Sequence, residues 1–521
     1  MNAERDRAPV PPPVRSGERG ILETAKGAGF LAGGSFFELG CRFVMALVLA
    51  RSLGAGEYGL YILAVSAASL FFGIALLGLD DAMVRYVAML SGRRDRAGVR
   101  GAIEVGLGVS VPVGVGMGAL LYVAAGPVAE SVFRAPELAQ LLQLVAFIVP
   151  FLTVSNVLAG AARGFRRMDY VAFSENVVQS VVRLVLLGAL MLASGLDTVT
   201  AVVIFGVSDI ASTLSLILLL DKYVGWRTLA SEDARRDTRE IFRFALPLWI
   251  AGLLRNFRSY LGALILGASG TAAGVGVFAI VTNVNTVAHV CLLSIYVAVR
   301  PTLAQLHDRG DRVGMGHVYT AATRWSLALN VPFFLVTVLY PSAILQVFGA
   351  SFADGATALV VLAWAELLNA ATGVCGPIID MTGHTRLKLV NSALWTALVV
   401  GGSALLIPPW GVLGAAVASF VAIVAVNVLS LLEVWWIERL HPYDWSFAKP
   451  VVAGAIAYLV GGLIDVAFPV GTELVRAAIE GAVVVGVYTG VVCGLGLTDV
   501  DRLVLRRVGH KATRGLLGAR S

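Results

Sequence analysis

The sequence predicts an all-α polytopic membrane protein with about fourteen transmembrane helices, arranged as two six-helix blocks and a C-terminal helix pair. Of the 521 residues, 58% are hydrophobic and 14% are charged, whereas soluble domains carry about 25% charged residues. The mean hydropathy is +0.82. Apolar runs of about 20 residues, the length that crosses a bilayer, recur along the chain. The segments between these runs are too short to hold a soluble catalytic domain.

The apolar runs define the predicted spans in chain order. The spans are 28–50, 58–79, 99–125, 138–162, 170–192, 198–220, 241–267, 272–299, 318–340, 356–379, 387–407, 411–437, 450–469 and 474–497. They predict six domains: a disordered cytoplasmic tail (1–20), an N-lobe (21–222), a cytoplasmic linker (223–240), a C-lobe (241–440), an extra helix pair (441–498) and a basic cytoplasmic tail (499–521).

The distribution of positive charge supports this map and orients it. Of 40 Lys and Arg, 33 fall on or beside the segments that share a side with the N-terminus, three fall on the opposite side and four lie within spans. Cytoplasmic loops of membrane proteins are enriched in Lys and Arg. Both termini are therefore expected in the cytoplasm, with the protein in the cell (inner, cytoplasmic) membrane. The net charge of +6 reflects topology and does not indicate nucleic-acid binding.

A weak internal repeat relates the two blocks. The stretches ARSLGAGEYGLYILAV (50–65) and ILGASGTAAGVGVFAI (265–280) both join an apolar helix to the next through a small-residue turn. Gly59 and Gly274 correspond, and so do Ala64 and Ala279. Six spans per block give both blocks the same direction, which predicts a central cavity between them. The alternative is two unrelated small-residue turns.

Three arginines at middle depth are the candidate binding residues. Arg42 lies in the first span with Glu38 one turn earlier, and Arg255 and Arg258 share one face of the seventh span. A charge at that depth costs several kcal/mol unless it faces a partner or a water-filled cavity. Because the arginine fork suits phosphate groups, we expect Arg42, Arg255, Arg258 and Glu38 to line a cavity for an anionic, diphosphate-bearing head group.

A structural explanation competes with this one. Intramembrane arginines can pair with acids to hold helices together, for example Arg255 with Glu366. For Arg183 in the fifth span and Asp209 in the sixth, we favour such a structural pair over a coupling role. His289 in the eighth span is expected to be a core histidine rather than a proton switch.

No cofactor or metal is predicted. The sequence contains no nucleotide-binding loop, zinc-protease motif or catalytic triad signature. The four cysteines lie in apolar runs and form no CxxC pair, so neither a disulfide framework nor a zinc site is indicated.

Four stretches in order resemble the polysaccharide transporter (oligosaccharide flippase) family of the multidrug/oligosaccharidyl-lipid/polysaccharide exporter superfamily. They are ALVLARSLGAGEYGLYILAVSAAS (46–69), LGLDDAMVRYVAMLSGRRD (77–95), LAGAARGFRRMDYVAFSENVV (158–178) and FRFALPLWIAGLL (242–254). The resemblance extends over roughly residues 20–440. It implies two six-helix lobes in a V shape that alternates between inward-open and outward-open states.

The resemblance also implies the function. A polyprenyl-diphosphate-linked oligosaccharide would move from the cytoplasmic to the outer leaflet for surface polysaccharide synthesis. Expected partners are this substrate, membrane lipids and a polysaccharide polymerase, without nucleic acid. Many relatives carry an aspartate late in span seven where this chain has Gly262, so no cation-coupling residue is transferred.

Three other functions stay open. The first is a drug or metabolite/cation antiporter of the same superfamily, in which acids rather than arginines are expected in the cavity. The second is a membrane-embedded glycan polymerase or ligase, for which the sequence lacks a large outer loop. The third is a scaffold that transports nothing, which would leave the charges of the first and seventh spans unexplained.

Overall fold

The computed structural model describes residues 18–193, 195–225, 238–467 and 473–495, and these are almost wholly helical, without a β-strand. Ten of the described helices are long and apolar enough to cross a membrane, or eleven if the bent pair Leu138–Ala146 and Val149–Gly164 forms one span. The predicted class of all-α, multi-pass membrane protein is confirmed. The count of fourteen spans stays a prediction.

Seventeen α-helices are described. In chain order they are α1 Glu18–Ala75, α2 Leu79–Gly92, α3 Arg96–Pro127, α4 Leu138–Ala146, α5 Val149–Gly164, α6 Met168–Val171, α7 Gln179–Ala193, α8 Thr198–Val224, α9 Thr238–Ser269, α10 Ala272–Asp308, α11 Arg312–Leu339, α12 Pro341–Gln346, α13 Ala356–Thr372, α14 Cys375–Met381, α15 Thr385–Glu438, α16 Ala448–Ala467 and α17 Glu473–Gly494.

Two helices are much longer than one span, and each is interrupted by a glycine. α15 has 54 residues, which at about 1.5 Å per residue would extend about 80 Å if it were straight. Gly54 in α1 (φ 73°, ψ 175°) and Gly411 in α15 (φ 53°, ψ −124°) lie outside helical dihedral space. Glycine adopts positive φ without the steric penalty of a Cβ. These breaks fall where the sequence predicts that one span ends and the next begins.

The chain divides into two compact units, Met1–Ala279 and Ile280–Ser521. The N-terminal unit includes α9 and the first turns of α10. The predicted six-domain division stays a prediction. Most of its two terminal tails and of its cytoplasmic linker lies outside the described residues.

The N-terminal unit brings together the two turns that the sequence relates by repeat. A Cβ on Gly59 would overlap the carbonyl oxygen of Ala272, and a Cβ on Gly276 would overlap that of Ala55. Small residues therefore let the middle of α1 and the start of α10 approach to backbone contact, as small residues do at helix interfaces in membranes.

Glycines also bring α2 close to α5 and α9. A Cβ on Gly160 of α5 would overlap the carbonyl oxygen of Asp80. Gly78 precedes α2 and has φ 73°. A Cβ on Gly78 would overlap the carbonyl oxygen of Ala245 in α9. Around these approaches α2, α3, α5 and α8 share one hydrophobic core.

The C-terminal unit is built around α11 and α13. Gly373 ends α13 with φ 67°, and a Cβ there would overlap the Thr323 side chain of α11. Tyr488 of α17 donates to the carbonyl of Ala328 at 3.0 Å. Residues from α11, α16 and α17 form a separate hydrophobic cluster, which attaches the C-terminal helix pair to α11.

We expect Gly59→Ala to lower the thermal unfolding midpoint in detergent, because overpacking a helix contact costs about 1–3 kcal/mol. The matched control is Gly56→Ala, since a Cβ at Gly56 meets no atom within 4 Å. Equal midpoints for the two variants would contradict the close approach of α1 and α10.

Candidate functional site

Arg42 and Glu38 lie one turn apart on α1. Arg42 Nη1 lies 3.8 Å from Glu38 Oε1, and this spacing places both side chains on one helix face. The Arg42 side chain keeps 58% of its surface exposed and that of Glu38 keeps 31%. The 3.8 Å separation is longer than a hydrogen bond, and the exposed guanidinium is open to a ligand.

Arg183 and Asp209 form a short, buried pair between α7 and α8. Arg183 Nη2 donates to Asp209 Oδ2 at 2.9 Å, and Arg183 Nε donates to Ser208 Oγ at 2.8 Å. Gln179, one turn before Arg183, donates to Asp209 Oδ1 at 2.6 Å. The Arg183 side chain is only 15% exposed. This guanidinium is therefore committed to protein partners. Gln179 and Ser208 were not anticipated from the sequence, although Gln179 has the i,i+4 spacing to Arg183.

A π-helical segment, Ala172–Val178, precedes α7 and sets the direction of its polar face. Such segments leave backbone groups without their usual helical partners and occur often at functional sites. Here Ser212 of α8 donates to the carbonyl of Ser174 at 3.0 Å. The hydroxyl oxygens of Ser174 and Ser215 lie 2.6 Å apart. Serines on α8 thus hold the π-helical segment that leads into α7, the helix of Arg183.

Arg255 and Arg258 lie on α9, and their side chains fall outside the described residues. The N-terminal half of α9 is held against α2 and the end of α1. Tyr86 donates to the Glu240 carbonyl oxygen at 3.1 Å, and Trp249 Nε1 donates to the Gly73 carbonyl oxygen at 3.2 Å. The Arg85 guanidinium lies 4.3 Å from the centre of the Phe244 ring.

The helices that carry all six predicted site residues belong to the N-terminal unit. α1, with Glu38 and Arg42, packs against α7, α8 and α9. The fold thus gathers around α1 the helices that carry Arg183, Asp209, Arg255 and Arg258. The roles assigned to these residues stay predictions.

A cavity of about 160 Å³ lies between α2, α5 and α9. Asp80, Asp81, Asn156, Trp249 and Leu253 are among its lining residues. Burial and the neighbouring Asp81 carboxylate raise the pKa of Asp80, although Arg163 acts in the opposite direction. Hydropathy and charge pattern alone do not indicate this cavity.

A second polar cluster lies within the C-terminal unit. His289 Nδ1 lies 3.4 Å from Glu366 Oε2, and Asn369 donates to the same oxygen at 3.1 Å. Glu366 and Asn369 have the i,i+3 spacing that puts them on one face of α13. The sequence gave no reason to connect them with His289.

The pattern that defines a known family, described as "Polysaccharide biosynthesis protein", matches residues 24–307. This match covers more than half of the chain. The chain belongs to the polysaccharide biosynthesis protein family. The resemblance inferred from four short stretches is thereby confirmed.

Two named proteins are similar to this chain in sequence. Stage V sporulation protein B of Bacillus subtilis is 22% identical over 445 residues, covering 80% of this chain and 85% of its own length. The probable flippase AglR of Haloferax volcanii is 22% identical over 353 residues, covering 64% of this chain and 70% of its own.

Solved structures share the fold. The lipid II flippase MurJ, in an inward closed conformation, matches with a TM-score of 0.71 at 12% identity, covering 88% of this chain and 98% of its own. An inward-facing MATE family multidrug transporter of the MOP superfamily matches with a TM-score of 0.64 at 18% identity, covering 76% and 94%. At these identities the likeness establishes the fold alone.

We expect Arg183→Ala to destabilise the protein by about 3–5 kcal/mol, because it leaves the Asp209 carboxylate buried without its charged partner. Arg42→Ala serves as the control, since the exposed Arg42 contributes little to stability. Thermal unfolding in detergent measures both, and Arg183→Met with Asp209→Leu should recover most of the loss. A midpoint for Arg183→Ala equal to that of Arg42→Ala would refute the structural role.

We expect Asp80→Asn to raise the unfolding midpoint at pH 8 and to raise it less as the pH falls. The folded-state pKa of Asp80 is raised, so the wild type loses stability as the pH rises from the unfolded pKa through the folded one. Asparagine has no such loss. Melting curves across pH measure the difference. A gain that is independent of pH would show that ionisation of Asp80 is not its cause.

Proposed function

We propose that this protein is a flippase that moves a polyprenyl-diphosphate-linked oligosaccharide from the cytoplasmic to the outer leaflet for cell-surface polysaccharide synthesis. Family membership and a relative named as a probable flippase support this proposal. The fold shared with MurJ and MATE transporters agrees with alternating access. On this proposal the protein is a transporter and performs no covalent chemistry.

The observation that carries the substrate assignment is the contrast between Arg42 and Arg183. Both are intramembrane arginines of the N-terminal unit, yet Arg183 is 15% exposed and hydrogen-bonded to Ser208 and Asp209, while Arg42 is 58% exposed beside one acid at 3.8 Å. An exposed arginine in a span is costly unless it faces water or an anion. The exposure of Arg42 therefore supports a binding role.

Arg255 and Arg258 complete the proposed diphosphate site. Their helix, α9, packs against α1, and an i,i+3 pair lets two guanidiniums approach one anion from the same face. Arginine binds phosphate oxygens through two parallel hydrogen bonds. In this arrangement Glu38 holds Arg42 in position while the cavity is empty, and the diphosphate outcompetes it when the substrate enters.

The orientation follows from charge. The excess of Lys and Arg on one side of the predicted map supports two cytoplasmic termini and residence in the cell membrane. A polysaccharide polymerase acting on the translocated product is the expected neighbour.

A drug or cation antiporter is the second candidate, favoured by the likeness to MATE transporters. A site for cationic drugs would favour acids. The three predicted cavity arginines and one glutamate instead favour an anionic substrate.

The proposal is tested by deleting the gene in its host and profiling lipid-linked glycans and surface polysaccharide. Wild type, Arg42→Ala, Arg255→Ala and Arg258→Ala are returned at equal membrane abundance. We expect the deletion to accumulate precursor, and we expect each arginine variant to lose at least about tenfold in rescue, because removing a charged hydrogen-bond partner costs about 1.5–3 kcal/mol.

Arg134→Ala is the matched control, because Arg134 is an exposed arginine in the loop before α4. It should rescue fully. Full rescue by all three cavity variants would overturn the diphosphate site, whereas unchanged glycans in the deletion strain would overturn the flippase assignment.

A further inference from the structure

Four polar side chains meet inside the C-terminal unit, far from the arginines of α1 and α9 in sequence. They are His289 of α10, Glu366 and Asn369 of α13, and Asn427 of α15. Each lies in a helix long and apolar enough to cross a membrane. His289 is 17 residues from the start of α10 and 19 from its end, which at about 1.5 Å per residue is about 25 Å and about 28 Å. The cluster is therefore far from both ends of α10.

The hydrogen bonds of the cluster converge on one carboxyl oxygen. Asn427 donates to Asn369 Oδ1 at 3.0 Å, and Asn369 in turn donates to Glu366 Oε2 at 3.1 Å. The imidazole Nδ1 of His289 lies 3.4 Å from the same oxygen. The Glu366 side chain is 9% exposed and that of His289 is 50% exposed. The buried carboxyl of Glu366 thus lies beside the half-exposed imidazole of His289.

This arrangement favours a proton over a metal ion. An amide N–H already points at Oε2, and a ring nitrogen faces it, so the oxygen is surrounded by donors rather than by further carboxylate or carbonyl ligands. Hard cations prefer several oxygen ligands. Within the described residues, no group of three or more His, Cys, Asp or Glu side chains could hold a metal ion.

Other charged groups on the packed helices are positioned elsewhere. Asp380 of α14 pairs with Arg300 and Lys388, Arg324 of α11 donates to Ser446, and Glu433 of α15 accepts from Asn391. Tyr296 of α10 interacts electrostatically with Glu366, Cys291 lies two residues after His289, and Tyr319 of α11 donates to the Thr372 carbonyl. Ionisable groups toward the ends of these helices include His307, Asp308, Arg312, His317, Asp354, Arg386 and Glu438.

We propose that His289 and Glu366 form an intramembrane proton-binding site, with Glu366 as the buried acceptor and His289 as the group that exchanges the proton with water. An ionised glutamate in hydrocarbon is costly, but a neighbouring imidazolium offsets that cost, and protonation of the carboxyl removes it. Water access to His289 therefore decides how many protons the pair holds. That this proton drives transport rests on the proposed function; the site itself does not.

The site links α10 to the rest of the C-terminal unit. Further links are the hydrogen bond from Tyr296 to the Gly373 carbonyl at 2.9 Å and the contact of Arg300 with Asp380 at 3.4 Å. A change in the charge of His289 or Glu366 alters the contact between α10 and α13 that these two residues form. Proton binding can thus bias the position of α10, as a ligand biases any element that has two arrangements.

The test is a pH titration of the full chain in lipid nanodiscs, followed by infrared difference spectroscopy of the carboxylic acid C=O band. We expect the wild-type band to contain a pH-dependent component that comes from the Glu366 carboxyl. Glu366→Gln should lose that signal. Glu433→Gln should keep it; this variant is the control because Glu433 also accepts a hydrogen bond from an asparagine, Asn391. His289→Gln should move its midpoint by about one pH unit, the size of effect that a neighbouring charge produces.

Wild type alone can overturn the proposal, whatever the variants do to folding. The absence of a titrating carboxyl, or a band that responds to Na⁺ at constant pH and not to pH, would exclude a proton site. Persistence of the full signal in a folded Glu366→Gln would do the same. A normal titration together with unchanged glycans in the deletion strain would uphold the site and refute only the flippase assignment.

Discussion

Hydrocarbon provides no hydrogen-bond partners, and every polar group placed in it must find one within the protein. The almost unbroken helicity of the described residues satisfies the backbone. Two pairs of ionisable side chains meet the same requirement: Arg183 with Asp209, and His289 with Glu366. The departures from helical geometry at Gly54 and Gly411 are confined to positions where a helix that spans the bilayer has to end.

The two units satisfy this requirement with different chemistry. Arginine stays charged at any physiological pH, so the pairing of Arg183 with Asp209 is permanent and suits a fixed contact between α7 and α8. Histidine titrates near neutrality, so the pairing of His289 with Glu366 can change. In the N-terminal unit, Asp209 is thus paired with the permanent charge of Arg183. In the C-terminal unit, Glu366 is paired with His289, whose charge can be removed.

Close backbone approach is the second device that shapes the N-terminal unit. Gly59, Gly78, Gly160 and Gly276 each face a carbonyl group at a distance that excludes a side chain. Between lipid-facing helices there is little hydrophobic driving force, so such packing supplies much of the association energy. It also brings α9 and the start of α10 onto α1 and α2, and hence brings the segments carrying the predicted binding arginines to one unit.

The sequence by itself determined the class of protein, the approximate position of most spans and the presence of ionisable residues within the first and seventh of them, because hydropathy and charge follow directly from residue type. It also indicated Arg183 and Asp209 as partners, since both lie at similar depths in consecutive spans. Only the tertiary structure decided that Gln179 and Ser208 join that pair, and that the two repeat-related turns touch at Gly59 and Ala272. It likewise brought His289 to Glu366, 77 residues away, although the sequence had suggested a core histidine and an arginine partner for the acid. Depth along a helix can be counted from sequence, but the direction in which a side chain points depends on helix rotation and on neighbours distant in the chain.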